Sequence, residues 1–592
     1  MDSPKQDIAS DTSDPSWGWT VHSDDEATQH SASKSRAPAS SGARGYDAED
    51  PEPVFVHDAA ADDSNAQYDD GGEQEPLISS EEGAEITDSM GSEGIQSSRP
   101  SLSSRVSRAS DLVTPSHIKQ YIAALAATMG AFSMGCILGY SSPAGAQLQG
   151  NSTGIECPLV DDEPLSSIEI SWFSSAVNLG ALIGAPVTGF LINSIGRRGT
   201  MMASLVIFLL GWGLIGGGQN FAMLVAGRVF CGFCAGCVSL TVPTYLSEIA
   251  STDVRGMLGS GFQLMVVLGL LYTYSVGAVI CWRYLALASF VPAIIFSVSM
   301  YFCKESPAYL LANDKHQDAM ETLQFFRGEK YNVGGELLQL RMAIDEGKAN
   351  KVSFKDLKAP HILRPLIISL ALMFFQQFSG INAILFNLTT IFEQANVDMS
   401  ADACSIIIAV VQVVATVVAS VLIDRAGRKI LLLVSSSAMA VALVAMGVYF
   451  YMAETDQDMS SLGWLPLVSL IGFIAFFSVG YGPVPWVMMS ELFSPDVREL
   501  ASTLATLTNW SMSFVVTLIF KPLQSAINNS GVYWMFAGFC VVNFIFCFVF
   551  VKETKGLTSE QISALFGGPG PRRESTASNS SGHRNESSNN IA

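Results

Sequence analysis

The chain has 592 residues, is 49% hydrophobic and only 15% charged, and has a mean hydropathy of +0.33. A soluble protein carries about 25% charged residues, so this composition excludes an ordinary soluble enzyme or binding domain and points to a protein immersed in lipid. The formal net charge is −21, but residues 1–114 hold 24 Asp and Glu against 7 Lys and Arg. The acidity therefore belongs to one tail and does not indicate a nucleic-acid partner.

In chain order, residues 1–114 are rich in Ser, Asp, Glu, Gly and Pro. They cannot bury enough apolar surface to offset their ordering entropy, which predicts a disordered acidic tail. Within it, Glu73-Gln-Glu-Pro-Leu77-Ile78 places an acidic residue four before an aliphatic pair. An adaptor, such as the clathrin adaptor, can bury the two aliphatic side chains and pair the carboxylate, the chemistry of a sorting signal. The Ser/Arg stretch 101–110 reads either as a phosphorylation target or as a basic juxtamembrane linker. No signal peptide precedes the first apolar run, so that run is expected to direct insertion itself.

From Ile118 to Val551, twelve apolar segments approach the ~20 residues that a spanning helix needs. They cover 118–141, 168–192, 200–218, 221–246, 257–280, 282–303, 362–391, 402–423, 430–452, 463–489, 499–522 and 531–551. The expected fold is an all-α membrane protein of twelve transmembrane helices in two six-helix bundles, 115–303 and 362–552. A linker with short amphipathic helices at 304–361 joins them, and a disordered tail follows at 553–592. The linker helices, expected at Asp314–Arg327 and Glu336–Glu346, are read as cytoplasmic and as tying the two halves together.

Lys and Arg gather in the loops after the even-numbered spans, at Arg197, Arg198, Arg255, Arg425, Arg428, Lys429 and Arg498. The loops at 149–167, 393–401 and 454–462 contain neither. The positive-inside rule then puts both termini in the cytoplasm. The sequons beginning at Asn151 and Asn528 fall on the opposite face as candidate glycosylation sites, whereas Asn387-Leu-Thr389 lies within a span. Ten cysteines supply no disulfide framework. Cys231, Cys234 and Cys237 sit among glycines in one apolar span and read as helix-packing residues.

Glu248-Ile-Ala-Ser-Thr-Asp-Val-Arg255 returns as Glu491-Leu-Phe-Ser-Pro-Asp-Val-Arg498, and each copy follows a Gly-Arg hairpin, at Gly196-Arg197-Arg198 and Gly427-Arg428-Lys429. Recurrence of the whole set indicates two related halves in parallel orientation. The guanidinium groups of Arg197, Arg198, Arg425 and Arg428 can grip carboxylates, with Glu248 and Glu491 the natural partners. Such pairs would hold the cytoplasmic side shut and break on opening. Inside the apolar spans, Gln263, Gln376, Gln377, Asn382, Gln412 and Asn509 are neutral polar residues, costly in lipid and therefore candidate binding groups. Amides that both donate and accept suit a hydroxylated solute. Trp486, beyond the helix-breaking Gly482-Pro483-Val-Pro485, and Trp510 could stack on an apolar ring face.

Several motifs together resemble the sugar porter family of the major facilitator superfamily over about residues 118–560. They are Gly196-Arg-Arg198, Pro243-Thr-Tyr-Leu-Ser-Glu248, Arg255-Gly256, Glu305-Ser-Pro307, Gln376-Gln-Phe-Ser-Gly-Ile-Asn382, Asp424-Arg-Ala-Gly-Arg-Lys429, Gly482-Pro-Val-Pro-Trp486, Glu491-Leu-Phe-Ser494 and Lys552-Glu-Thr-Lys-Gly556. Leu138-Gly-Tyr-Ser-Ser-Pro-Ala144 and the tail dileucine resemble the branch of facilitative glucose and trehalose transporters that carry sorting signals. The resemblance implies alternating access and sugar contacts at Gln263, Gln376, Gln377, Asn382, Gln412, Trp486 and Asn509. It also implies residence in the plasma membrane or in endosomal and lysosomal membranes.

Three places depart from the family pattern. Phe386-Asn387 replaces two aromatic residues, Ser478 stands where glucose carriers often have Glu, and Lys304 and Ala308-Tyr309 flank Glu305-Ser-Pro307 in place of Pro and Arg. Proton-driven relatives carry an Asp in the first span, whereas residues 117–149 contain no Asp or Glu. The sequence thus predicts a sugar uniporter, with a proton symporter or a non-transporting sugar sensor as alternatives. No cofactor is expected, and no nucleophile–base cluster, metal site or P-loop suggests an enzyme.

Overall fold

The computed structural model describes residues 115–150, 163–349, 356–395, 397–457 and 461–567. The sorting sequence at Glu73, Leu77 and Ile78 and the sequon at Asn151 lie outside them. In the first half, α1 (Ile118–Gly139) runs into α2 (Ser141–Leu148), followed by α3 (Ser167–Ser194), α4 (Gly196–Gly216), α5 (Phe221–Ile249), α6 (Arg255–Gly277) and α7 (Trp282–Phe302). Three short helices follow: α8 (Pro307–Ala312), α9 (His316–Arg327) and α10 (Gly334–Ala349).

The second half comprises α11 (Pro360–Phe378), α12 (Ile381–Phe386), α13 (Leu388–Gln394), α14 (Ala401–Ala426), α15 (Arg428–Glu454), α16 (Leu465–Phe476), α17 (Val484–Glu491) and α18 (Pro495–Phe550). A terminal turn, α19 (Ser559–Leu565), closes the described chain. Eleven of these stretches are long and apolar enough to cross a bilayer. The last of them, α18, has 56 residues, about 84 Å of helix against a ~30 Å hydrocarbon core. It cannot be one crossing, and its dihedrals break at Ile527 and Asn528, where φ is 62°. Two crossings meet there, which makes twelve.

Helix ends are set by local chemistry. Ser166 and Glu169 form a capping box at the start of α3, and Asn220 caps α5 through the Met223 N–H. Without a hydrophobic drive between helices in lipid, close packing needs small side chains. Gly180 on α3 and Gly232 on α5 show this: a Cβ on either would overlap the Val229 or the Val177 carbonyl oxygen. Cys231 and Cys234 face α4 instead, at Gly211 and at the Ser204 carbonyl, and both are buried, as is Cys237.

Two expected spans are not continuous. The seventh breaks at Gly380, whose φ of 86° is left-handed, and again between α12 and α13. The tenth breaks through a π-turn, Phe477–Tyr481, before Pro483. The two halves meet where α3 packs on α18 and α6 on α14. The linker bonds run to the first half. Gln120 donates to the Phe326 carbonyl and takes the Ser251 N–H, and buried Arg327 reaches the Ile249 carbonyl. Arg327 also pairs with Glu336 on α10 at 2.6 Å, and at the other end of the linker the turn Asp356–Lys358 packs on α11 of the second half.

Candidate functional site

The interruptions of the seventh and tenth spans converge on one polar cluster. Gln376, at the end of α11, donates to the carbonyls of Tyr481 and Gly482, each at 2.9 Å. Its own carbonyl takes a 2.7 Å bond from the amide nitrogen of Asn509 on α18. Gln377 donates to Asn509 Oδ1 at 3.2 Å and accepts from Asn382 at 2.8 Å. Asn382 also donates to Ser513 Oγ at 2.8 Å. On an unbroken helix Gln377 and Asn382, five apart, would point about 140° away from each other. The break at Gly380 swings α12 round and lets them meet.

Four of the seven expected contact residues are thus joined directly. The other three stand apart. Gln412 on α14 is buried and its amide oxygen has no partner among the described residues. Gln263 on α6 is exposed, and Trp486 is half-buried. Among the described residues the buried Trp510 indole N–H has no partner, nor does Asn178 Oδ1. An unpaired buried polar atom costs about 1–3 kcal/mol. Such atoms are donors and acceptors available to a polar visitor with its own hydroxyls.

Sequence reading passed over Arg228, a lone Arg in an apolar span. It is fully buried and donates to the carbonyls of Ile137 and Phe173 and to the Ser141 hydroxyl. Its cation lies over the rings of Tyr140 and Phe173.

At the hairpin end, two clusters repeat each other. In the first, Arg197 holds Glu248 with two parallel bonds of 2.9 and 2.8 Å and reaches back to the Ile192 carbonyl. Ser306 donates to the same carboxylate. Glu305 accepts the backbone N–H groups of Arg197 and Arg198. In the second, Arg428 holds Glu491 and reaches back to the Ile423 carbonyl. Thr554 donates to Glu491 at 2.6 Å, and Glu553 accepts the N–H groups of Arg428 and Lys429.

Gly196 and Gly427 turn with φ of 84° and 91°, each with a carboxylate where a Cβ would sit. Burial pushes the Glu553 carboxyl up, but the N–H groups of Arg428, Lys555, Lys429 and Thr554 outweigh it and hold it below the usual range. Glu305, Ser306, Glu553 and Thr554 were given no role from sequence. The signal was present, since Lys304-Glu-Ser306 and Lys552-Glu-Thr554 close the two halves alike.

The other expected gating residues behave differently. Arg198 turns away to the carbonyls of Met300 and Tyr301. Arg255 and Arg425 are exposed with no side-chain partner among the described residues. Arg498 donates to the Phe493 carbonyl. Nor do the ion pairs bridge the halves. Arg197 and Glu248 both belong to the first half, and Arg428 and Glu491 to the second, because each hairpin neighbours the helix end of its own half.

Hydrogen bonds between the halves lie towards the opposite end. Ser142 meets Thr389, Tyr274 donates to the Leu385 carbonyl at 2.8 Å, and Asn178 donates to Thr517 at 3.0 Å. Asn387 is buried and bonded to the Ala383 carbonyl, whereas Asn528 is exposed on the turn within α18.

Twelve crossings in two related halves, interrupted around a neutral amide cluster, define a multi-pass carrier of the major facilitator type. The chain belongs to the sugar (and other) transporter family, which it matches over residues 119–566. It is 38% identical over 466 residues to the bovine solute carrier family 2, facilitated glucose transporter member 8, covering 76% of this chain and 94% of that protein. It is 36% identical to the facilitated trehalose transporter Tret1 of Anopheles gambiae, covering 77% of this chain but 57% of that longer protein. Among solved structures it resembles a partially occluded inward open conformation of the xylose transporter XylE from E. coli. The TM-score is 0.62 at 25% identity, over 74% of this chain and 99% of that one.

Proposed function

We propose that the protein is a facilitative sugar carrier, a uniporter that moves a hexose or trehalose down its gradient by alternating access. The observation that carries this is the uncharged chain Gln376–Asn509–Gln377–Asn382–Ser513. Each amide both donates and accepts, so sugar hydroxyls can replace these bonds one for one without a charge to hold them. Gln412, Gln263, Trp486 and Trp510 complete the site as the halves move. The names of the glucose and trehalose relatives support the same substrate class.

Uniport is favoured over proton symport by the first crossing. The buried Arg228 cation meets the Ser141 hydroxyl there, and α1 and α2 carry no carboxylate, so this pair holds no group that takes up and releases a proton. The hairpin end is the cytoplasmic one. Its ion pairs make each half a stiff unit, and transport is the rocking of one unit on the other. Asn528 and Asn151 face the opposite side as glycan acceptors. Glu73, Leu77 and Ile78 recruit a clathrin adaptor that moves the protein between the surface and endosomal or lysosomal membranes.

The test is uptake of labelled sugars into liposomes holding the purified full chain. Saturable uptake and counterflow are expected, unchanged when a pH gradient is collapsed. Absence of flux for every mono- and disaccharide tried, with correct insertion, would overturn the reading. Flux that vanishes with the pH gradient would replace it by symport.

A further inference from the structure

At the end away from the hairpins, a cavity of about 350 Å³ lies between the halves. Gln149 and Ser167 line it from the first half, and Gln394, Lys521, Gln524 and Asn529 from the second. Lys521 is only 6% exposed. Its ammonium makes no hydrogen bond and no ion pair with the described residues; the Glu393 charge acts on it only through space. Among the described residues no ion pair satisfies this buried ammonium, so a counter-charge that docks against it is favoured. The rest of the lining is neutral and incompletely bonded. Gln149 presents a buried amide oxygen with no partner among the described residues. Gln524 donates to Asn529 Oδ1 at 2.7 Å, which leaves Gln524 Oε1 free to accept and the Asn529 amide nitrogen free to donate.

We infer that this cavity is a second binding site, separate from the amide cluster, for a small polyhydroxylated carboxylate such as a sugar acid. The carboxylate pairs with Lys521, and the hydroxyls bond Gln149, Gln524 and Asn529. The volume suits a hexose-sized molecule. A neutral sugar would leave the ammonium unpaired, which distinguishes this site from the central one. Because the lining comes from both halves, a bound ligand holds them together at this end. It therefore favours the state with this end closed, by the difference in its affinity for the two states.

The test is thermal unfolding of the purified full chain in detergent, which reads binding without flux and so succeeds or fails independently of the sugar-carrier reading. D-gluconate is expected to raise the unfolding midpoint saturably, with half-effect at ~1 mM. D-glucitol, which has the hydroxyls without the charge, is expected to be much weaker, as are acetate and inorganic phosphate, which have charge without the hydroxyl array. Lys521→Gln should raise the half-effect concentration by ~10-fold or more. Gln149→Leu keeps the cation and should bring the gluconate response down towards that of acetate, so the test stands even if Lys521→Gln does not fold. Equal gluconate responses in the wild type and these variants would overturn the proposal. So would no response of the wild type at ~100 mM, or a phosphate response equal to that of gluconate.

Discussion

The two hairpin clusters are the same device built twice from different residues, and their differences are instructive. Arg197 spreads its fork over both oxygens of Glu248, whereas Arg428 puts both donors on one oxygen of Glu491. The second oxygen of Glu491 is left to Thr554. In the first cluster Ser306 shares an oxygen with Arg197. Asp424 adds a weak 3.5 Å contact to Arg428, where the first half has Asn193, bonded to its own helix at Gly189. Arg198 and Lys429 differ in chemistry, yet each caps carbonyls at the end of the last crossing of its half. What both copies keep is an acid, a hydroxyl and a hairpin cation meeting where three helix ends of one half converge. The requirement is on the junction, and the side chains meet it by more than one route.

Loss of the hairpin cations is expected to have the largest effect. Arg197→Met strands a carboxylate that is only 17% exposed, and a charge left unpaired in such a site costs about 3 kcal/mol. Arg428→Met should cost less, because Glu491 is 24% exposed and water reaches the stranded charge more easily; each acid keeps its hydroxyl partner, Ser306 or Thr554. Thermal unfolding should rank the two in that order, with sugar uptake falling in both.

Removing the hydroxyls sharpens the contrast in the other direction. Thr554→Ala deprives Glu491 of the only bond that the described residues make to its second oxygen and should cost about 1.5 kcal/mol, the usual range for a bond to a charged acceptor. Ser306→Ala should cost less, because Arg197 still serves the same oxygen. A double-mutant comparison of each hydroxyl with its arginine would measure this, and equal costs would contradict the geometry.

Acid titration gives a smaller effect with a definite sign. The Glu553 carboxyl is held below the ordinary range in the folded protein, so the unfolded chain binds more protons as pH falls. The stabilisation is present above ~4.3, the unfolded carboxylate value, and is lost as pH drops through the folded value. Glu553→Gln should flatten this acid limb in unfolding midpoints measured across that window. Asp424→Asn should do least: Asp424 is 81% exposed, and loss of such a pair shifts stability by no more than about 0.5 kcal/mol.

The sequence by itself determined the class of the molecule, the twelve crossings, the doubling of the halves and the amide chemistry of the centre. These follow from hydropathy over about twenty residues, from the charges that flank them, and from residue types that cannot sit in lipid without a reason. Which groups meet depends on how the helices pack. Arg197 finds Glu248 51 residues away and Arg428 finds Glu491 63 away, while Arg198, Arg255 and Arg425, alike on paper, do not pair with these acids. The meeting of Gln377 with Asn382 depends on the turn at Gly380, and that of Gln376 with Asn509 on the packing of α11 against α18. Such pairings are fixed by how separate helices pack, a property of the assembled halves that local composition does not encode.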